Sequence, residues 1–357
     1  MTWHLFRQRN IIPKLSQLYS TPLITSMPKY RVSILIPCYN GVRFIDRAFQ
    51  SIINQTENNI EVIFVDDGST DDSLSTAQTY VNSFELAGHY LRCLHKPNGG
   101  AASAIKEALE VSVGKYIMPF DIDDELHPDA CKTQADFLDE NCDCTAVLTN
   151  GYRVIERDGT KMLQLIRNNN RFALKNNIFE GLLSGEINNI PGMYMISGDF
   201  LRSYYSKNSF LTTRFGQNLQ LLLPSSYDNL VGYIAIPLLK YYIHLGSHSN
   251  PGLYDKMILN LKGYRDIRYQ LLKDMGLGDE KYSDIIELSF LTEALHTDAR
   301  FHNRESYNEH YRQIKAFRKT SLQEKMEYHY INGNFISYWY RLLLKIHQIC
   351  KHNYFSN

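Results

Sequence analysis

Asp121, Asp123 and Asp124 follow directly on an apolar run in the segment KYIMPFDIDDELHP, residues 115–128. Three carboxylates at one strand end make an all-oxygen donor set suited to a hard divalent cation, Mg²⁺ or Mn²⁺. Such cations are often held by one or two carboxylates together with substrate phosphates, which a diphosphate-bearing ligand would supply. A lone Asp-x-Asp is equally common in turns and helix caps, so its weight depends on its neighbours. Two other polar runs qualify: Pro37 to Asn40, and Asp66 to Thr70 within DDGSTDDS.

The elements around these runs explain how they would meet. From Arg31 to about Pro128, short apolar runs alternate with helical periodicity, the pattern of a wound α/β sheet. Val32 to Pro37 predicts a strand, and Phe44, Ile45, Ala48, Phe49, Ile52 and Ile53 recur on one helical face. Glu61 to Val65 predicts the second strand; Leu74, Ala77, Val81 and Phe84 mark a second helix, with Ser69 and Asp71 as its caps. A third strand at Tyr90 to Leu94, a helix at Ala101 to Val111 and a fourth strand at Lys115 to Phe120 complete the series. Ligands of open parallel sheets bind beyond the carboxyl ends of the strands, where all three polar runs fall.

Further on, 146–155 and 162–166 read as a hairpin around Arg157-Asp158-Gly159, and 191–198 and 234–243 as extended pieces. Beyond about Asn250 the chain turns charged and aromatic, with helical segments expected at 254–275, 283–297 and 306–328. The expected fold is therefore α/β, a wound and mostly parallel central sheet with a helical C-terminal extension.

Composition removes several classes. Among 357 residues, Lys plus Arg and Asp plus Glu number 38 each, so no global field points to nucleic acid. No apolar run reaches the roughly 20 residues of a membrane span; the richest, 219–239, is interrupted by Pro224, Asp228 and Pro237. The opening MTWHLFRQRNIIPK lacks the apolar core of a signal peptide. Six cysteines without framework spacing fit a reducing compartment, and Cys142-x-Cys144 lacks the second pair of a zinc site.

Four ordered segments, VSILIPCYN at 32–40, EVIFVDDGSTDDS at 61–73, NGGAASAIKEAL at 98–109 and GKYIMPFDIDDELHP at 114–128, resemble the family 2 glycosyltransferases of GT-A fold. The resemblance covers roughly the first 130 residues well and the next 120 loosely. It implies a 1–30 extension, a 31–250 catalytic domain with a nucleotide-sugar half (31–130) and an acceptor half (131–250), and a 251–357 helical region. It also implies metal-dependent, inverting transfer of a sugar from a nucleoside diphosphate, UDP above all, in bacterial surface-polysaccharide or O-antigen biosynthesis. The acceptor would be a glycan or polyprenyl-linked saccharide.

Carried over residue by residue, the resemblance puts Pro37 and Tyr39 at the nucleobase, where a tyrosine face can stack on uracil, with Asn40 also at the donor. Asp66 and Asp67 would meet base and ribose, and Asn98 and Gly99 would let backbone approach the donor. Asp121 and Ile122 would also contact the donor, and Asp123 would ligate Mn²⁺ or Mg²⁺, with His248, then His244, as a further ligand. Where the family usually has arginine and asparagine, this chain has Ile105 and Lys106, so a donor contact there is either missing or supplied by Lys106.

One departure concerns the general base. The family generally uses a Glu-Asp pair, whereas this chain reads Gly216-Gln217-Asn218-Leu219-Gln220, and amides cannot take a proton. Asp199 or Asp228 would then serve as base, or Gln217 and Asn218 would hold the acceptor. The alternatives are a catalytically silent sugar-nucleotide-binding subunit and, last, a nucleotidyltransferase, whose glycine-rich loop after the first strand is lacking in PCYNGVRF. The tail 335–355, FISYWYRLLLKIHQICKHNYF, mixes aromatic, aliphatic and basic residues, which suits either an amphipathic helix packed on the catalytic domain or peripheral contact with an anionic membrane by a cytoplasmic protein at the inner membrane face.

Overall fold

The computed structural model describes residues 29–157, 160–166, 178–187, 190–243 and 253–333. The chain divides into two compact units, Met1–Ile243 and His244–Asn357. In the first, β1 (Val32–Cys38), β2 (Ile60–Asp66) and β3 (Tyr90–His95) run parallel, and β4 (Tyr116–Pro119) pairs in parallel on the other side of β1. β1 and β2 are almost wholly buried, as expected of parallel strands covered by helices on both faces. The covering helix α1 (Val42–Ile53) buries Ile45, Ala48, Phe49 and Ile52, one face at helical spacing. Phe49 meets Phe64, Tyr80 and Phe84 edge-on at 5.8, 5.3 and 5.2 Å. Burying such a ring stabilises the fold by about 1.5–3 kcal/mol.

The expected second helix is two, α2 (Ser73–Thr79) and α3 (Val81–Leu86), joined at Tyr80. α4 (Ala101–Val111) leads back to β4, and β5 is only Glu125–Leu126, ahead of α5 (Ala130–Glu140). β6 (Cys144–Arg157) and β7 (Thr160–Ile166) form the expected hairpin, and α6 spans Ile178–Leu183. β8 (Tyr194–Ser197), α7 (Gly198–Tyr205), α8 (Gln217–Ser226) and β9 (Leu230–Tyr242) finish the unit.

The strand order is β3-β2-β1-β4-β8-β6-β9-β5, with β7 on β6. The sheet is less parallel than the sequence predicts: among the described residues four strand pairs are parallel and four antiparallel. Its first half is the nucleotide-type wound sheet, and the mixed half begins where β8 runs against β4.

The second unit comprises α9 (Tyr254–Asp274), α10 (Glu280–Arg300), α11 (Arg304–Phe317) and α12 (Leu322–Ile331). The single helix expected at 306–328 breaks where Ser321 and Glu324 form a capping box that starts α12. Leu291, Leu295, Tyr307 and Ile314 form its core. Buried Asp298 accepts from Tyr254 Oη at 2.7 Å and lies 2.7 Å from His310 Nδ1. No helix among the described residues is long and apolar enough to cross a membrane.

Candidate active site

The carboxyl ends of β1, β2 and β4 bring three loops together, joined by a fourth after β3. Asn40, at φ 51°, donates its amide to Ser69 Oγ at 2.9 Å, and its Oδ1 accepts from the Thr70 amide at 2.8 Å. The Asp67 amide donates to the Cys38 carbonyl at 2.8 Å. Gly68 sits at φ +74°, a region that favours glycine, and a Cβ there would stand 2.7 Å from the Asn98 amide nitrogen. Ile122 packs beside Gly41, linking the acidic loop to the first.

Asp67 is spent on this scaffold. Its carboxylate accepts from the Gly99 amide at 2.9 Å, the Gly100 amide at 2.7 Å and Lys96 Nζ at 2.7 Å, and Asn98 Nδ2 donates to its carbonyl at 2.9 Å. Asp66 lies 2.7 Å from His95 Nδ1 and accepts from the Ser69 amide at 3.3 Å. Tyr39, by contrast, is 53% exposed, leaving a ring face for a ligand.

In the acidic loop, one ligand atom from each of Asp121, Asp123 and Asp124 lies within 4.8 Å of the others. Burial first, then the Asp123 charge, pushes the Asp121 carboxyl up to about 7. Asp124 is raised well above the usual carboxylate range by burial and then by Asp123 and Asp121. Its Oδ1 accepts from the Tyr242 amide at 2.9 Å, while its Oδ2 is buried with no hydrogen-bond partner. Three crowded carboxylates, one with an orphaned oxygen and with the Arg47 guanidinium acting on it, make an all-oxygen set that fits a hard divalent cation. His248 and His244 lie outside the described residues, as do the tail 335–355, residues 1–28 and Asp158 and Gly159 of the hairpin turn.

The amides Gln217 and Asn218 open α8, after Gly216 in left-handed conformation. Tyr194 connects them to the acidic loop. Its hydroxyl donates to the Asn218 carbonyl at 3.4 Å, and its ionisation is pushed well above the ordinary tyrosine value by burial and then by the Asp121 charge. Gln220 is consumed locally, bonding Leu211 N and O at 2.7 and 2.9 Å.

Three expected positions fall elsewhere. Asp199 is 85% exposed and paired with Arg202 at 2.9 Å, and the neighbouring Gly198 amide donates to Lys115 O at the amino end of β4. At about 3.3 Å per residue, Lys115 and Asp121 are roughly 20 Å apart, which sets Asp199 away from the triad. Asp228, exposed, lies ahead of β9 at the opposite end from Tyr242, whose amide bonds Asp124. Lys106 lies down α4, 3.8 Å from Glu110, lining a cavity of about 440 Å³ with Arg202, Tyr205 and Phe210. Lys96 is the lysine held beside Asp67 and the Asn98 loop. Its place two residues ahead of Asn98 was its only sequence signal, and nothing local marked Arg47, Tyr194 or Tyr242.

A parallel nucleotide-type half-sheet, a mixed second half and an acidic triad at the end of β4 define a GT-A glycosyltransferase fold. Residues 33–196 match the family described as Glycosyl transferase family 2 and make up a domain of that family. An uncharacterized glycosyltransferase of Rickettsia bellii (strain RML369-C) is 28% identical over 237 residues, 66% of this chain and 32% of that protein. Chondroitin synthase of Pasteurella multocida (strain Pm70) is 38% identical over 130 residues, 36% of this chain and 13% of the synthase. The chain thus spans a third or less of the length of these relatives. The structure of S. aureus TarS 1-349 in complex with UDP-GlcNAc shares the fold at TM-score 0.50 and 17% identity, over 85% of this chain and 93% of that one.

Proposed function

We propose that the first unit transfers a sugar, with inversion, from a nucleoside diphosphate donor to a hydroxyl of a glycan or lipid-linked saccharide in surface-polysaccharide assembly. The observation that carries this reading is the acidic triad, its oxygens within 4.8 Å, set among the three loops at the carboxyl ends of β1, β2 and β4. UDP is the favoured nucleotide: Tyr39 offers a face for uracil, and a protein of the same fold is seen with UDP-GlcNAc. Asp123, with Asp121 and Asp124, would hold Mn²⁺ or Mg²⁺, which when bound offsets charge on the departing diphosphate. Asp66 faces the base and ribose; Asp67 shapes the loop that the diphosphate approaches; Tyr194 holds the amino end of α8, from which Gln217 and Asn218 orient the acceptor hydroxyl.

A catalytically silent donor-binding subunit is the second reading, favoured by the placement of Asp199 and Asp228 far from the triad. Nucleotide release from a panel of sugar nucleotides with Mn²⁺, with and without saccharide acceptors, separates the two. Transfer from one donor, lowered about a hundredfold or more in Asp123→Asn, is expected. Donor binding without release under any acceptor would establish the silent subunit instead.

A further inference from the structure

We propose that Arg47, clamped on Tyr242, is a positioning residue that sets the geometry of the acidic loop for its divalent cation; this rests on the metal-site reading above. α1 buries Ile45, Ala48, Phe49 and Ile52 against the sheet, and Arg47 lies on its flank, half-buried. Its Nη2 donates to the main-chain carbonyl of Asp123, the central residue of the triad. Its guanidinium carbon lies 3.7 Å from the centroid of the Tyr242 ring, a stacking distance for a planar cation.

Tyr242 grips the same loop from the strand side. Its amide donates to Asp124 Oδ1 at 2.9 Å and its hydroxyl to Glu125 Oε2 at 2.8 Å, while Lys240 Nζ meets Glu125 Oε1 at 2.6 Å. β5 is pinned to β9 through Glu125↔Lys240 and Leu126↔Leu239. The acidic loop is thus fixed from α1 on one side and β9 on the other, and the Arg47–Tyr242 stack is where the two supports touch. Arg47 Nε is shielded from solvent without a hydrogen-bond partner. Orphaned buried donors are rare and call for an explanation. Here the stack and the carbonyl contact fix the guanidinium where Nε goes unpaired, so the placement serves the loop rather than the arginine's own solvation. Supports of this kind orient metal-binding side chains, and their loss typically costs ten- to a hundredfold in metal affinity.

The test is Mn²⁺ affinity of the full chain, read from the loss of the free-ion electron paramagnetic resonance signal, with metal-free melting temperatures in parallel. Arg47→Met and Tyr242→Leu are expected to bind Mn²⁺ about ten- to a hundredfold more weakly than wild type. Arg47→Lys keeps the charge but not the planar stack and is expected about tenfold weaker, whereas Tyr242→Phe, which keeps the ring, stays near wild type. Arg47→Met binding Mn²⁺ as well as or better than wild type, with an unchanged melting temperature, would overturn the clamp and leave Arg47 a packing residue or a competing charge. Should Arg47→Met not fold, Arg47→Lys and Tyr242→Leu decide, and wild-type affinity in both overturns it. A wild type that binds no Mn²⁺ defeats the metal reading itself, and the clamp with it, so the two failures are told apart by the wild type alone.

Discussion

Replacing Asp67 with alanine separates two roles that the same carboxylate has been given. In the structure its side chain is 3% exposed and that of Lys96 14%, and three donors converge on it: two glycine amides and one ammonium. A hydrogen bond to a charged group contributes about 1.5–3 kcal/mol, and removing one partner of a buried ion pair costs about 3–5 kcal/mol because the other charge is stranded. Some of the freed donors regain water in a loop near the surface, so about 4 kcal/mol is the expected total for Asp67→Ala. For a unit of this size that lowers the melting temperature by about 10 °C. Asp67→Asn leaves one acceptor oxygen but turns an amide toward the remaining donors, and a loss of about 2–3 kcal/mol follows. The assay is thermal unfolding by circular dichroism alongside UDP titration by calorimetry. A melting temperature within about 2 °C of wild type, with UDP binding abolished, would refute the latch and return Asp67 to the ligand role that the sequence motif implied.

Gly68→Ala forces a left-handed residue to carry a Cβ 2.7 Å from the Asn98 amide nitrogen; a loss of about 2–3 kcal/mol in urea unfolding is expected, and an unchanged midpoint would show that the two loops yield freely. In the second unit, the hydrogen bond that His296 Nδ1 makes to Glu327 Oε2, 3.0 Å away, raises His296 above its ordinary value near 6.5 against the opposing effect of burial. A raised folded value means that this stabilisation is complete below about pH 6.5 and is lost as the pH climbs through the folded value. Amide exchange protection in α10 and α12 is therefore expected to fall as the pH rises above about 6.5 in the wild type and to stay flat in His296→Gln. Equal slopes in the two proteins would remove the pair as the cause.

The parallel half of the sheet was legible because its strands are continuous apolar runs bounded by polar loops, and β1, β2, β3 and β4 fall within a residue or two of their expected places. The donor-side loops were legible for the same reason, since each follows its own strand. Strand direction was not. Apolar patterning is the same read from either end, so nothing announced that β8 runs against β4 and leads Asp199 toward the amino end of β4. Lys106 and Lys96 differ in a similar way: both flank the Asn98 loop in sequence, but a helix carries one down its axis while an extended segment keeps the other beside Asp67. Arg47, Tyr194 and Tyr242 act across long sequence separations, and a single chain gives no local sign of such partners.

The pairing of β5 with β9 also fixes an order of events during synthesis. Asp124 and Tyr242 are 118 residues apart in the chain. At about 5–20 residues per second, the ribosome takes about 6–24 s to deliver the second after the first. Over that interval β1 to β4 can already pair, while the acidic loop has no strand to close on and Asp124 no amide from Tyr242. The nascent chain thus passes through a stage in which its parallel strands can pair while Asp124 still lacks its amide partner, and the acidic pocket is among the last features of the unit to close.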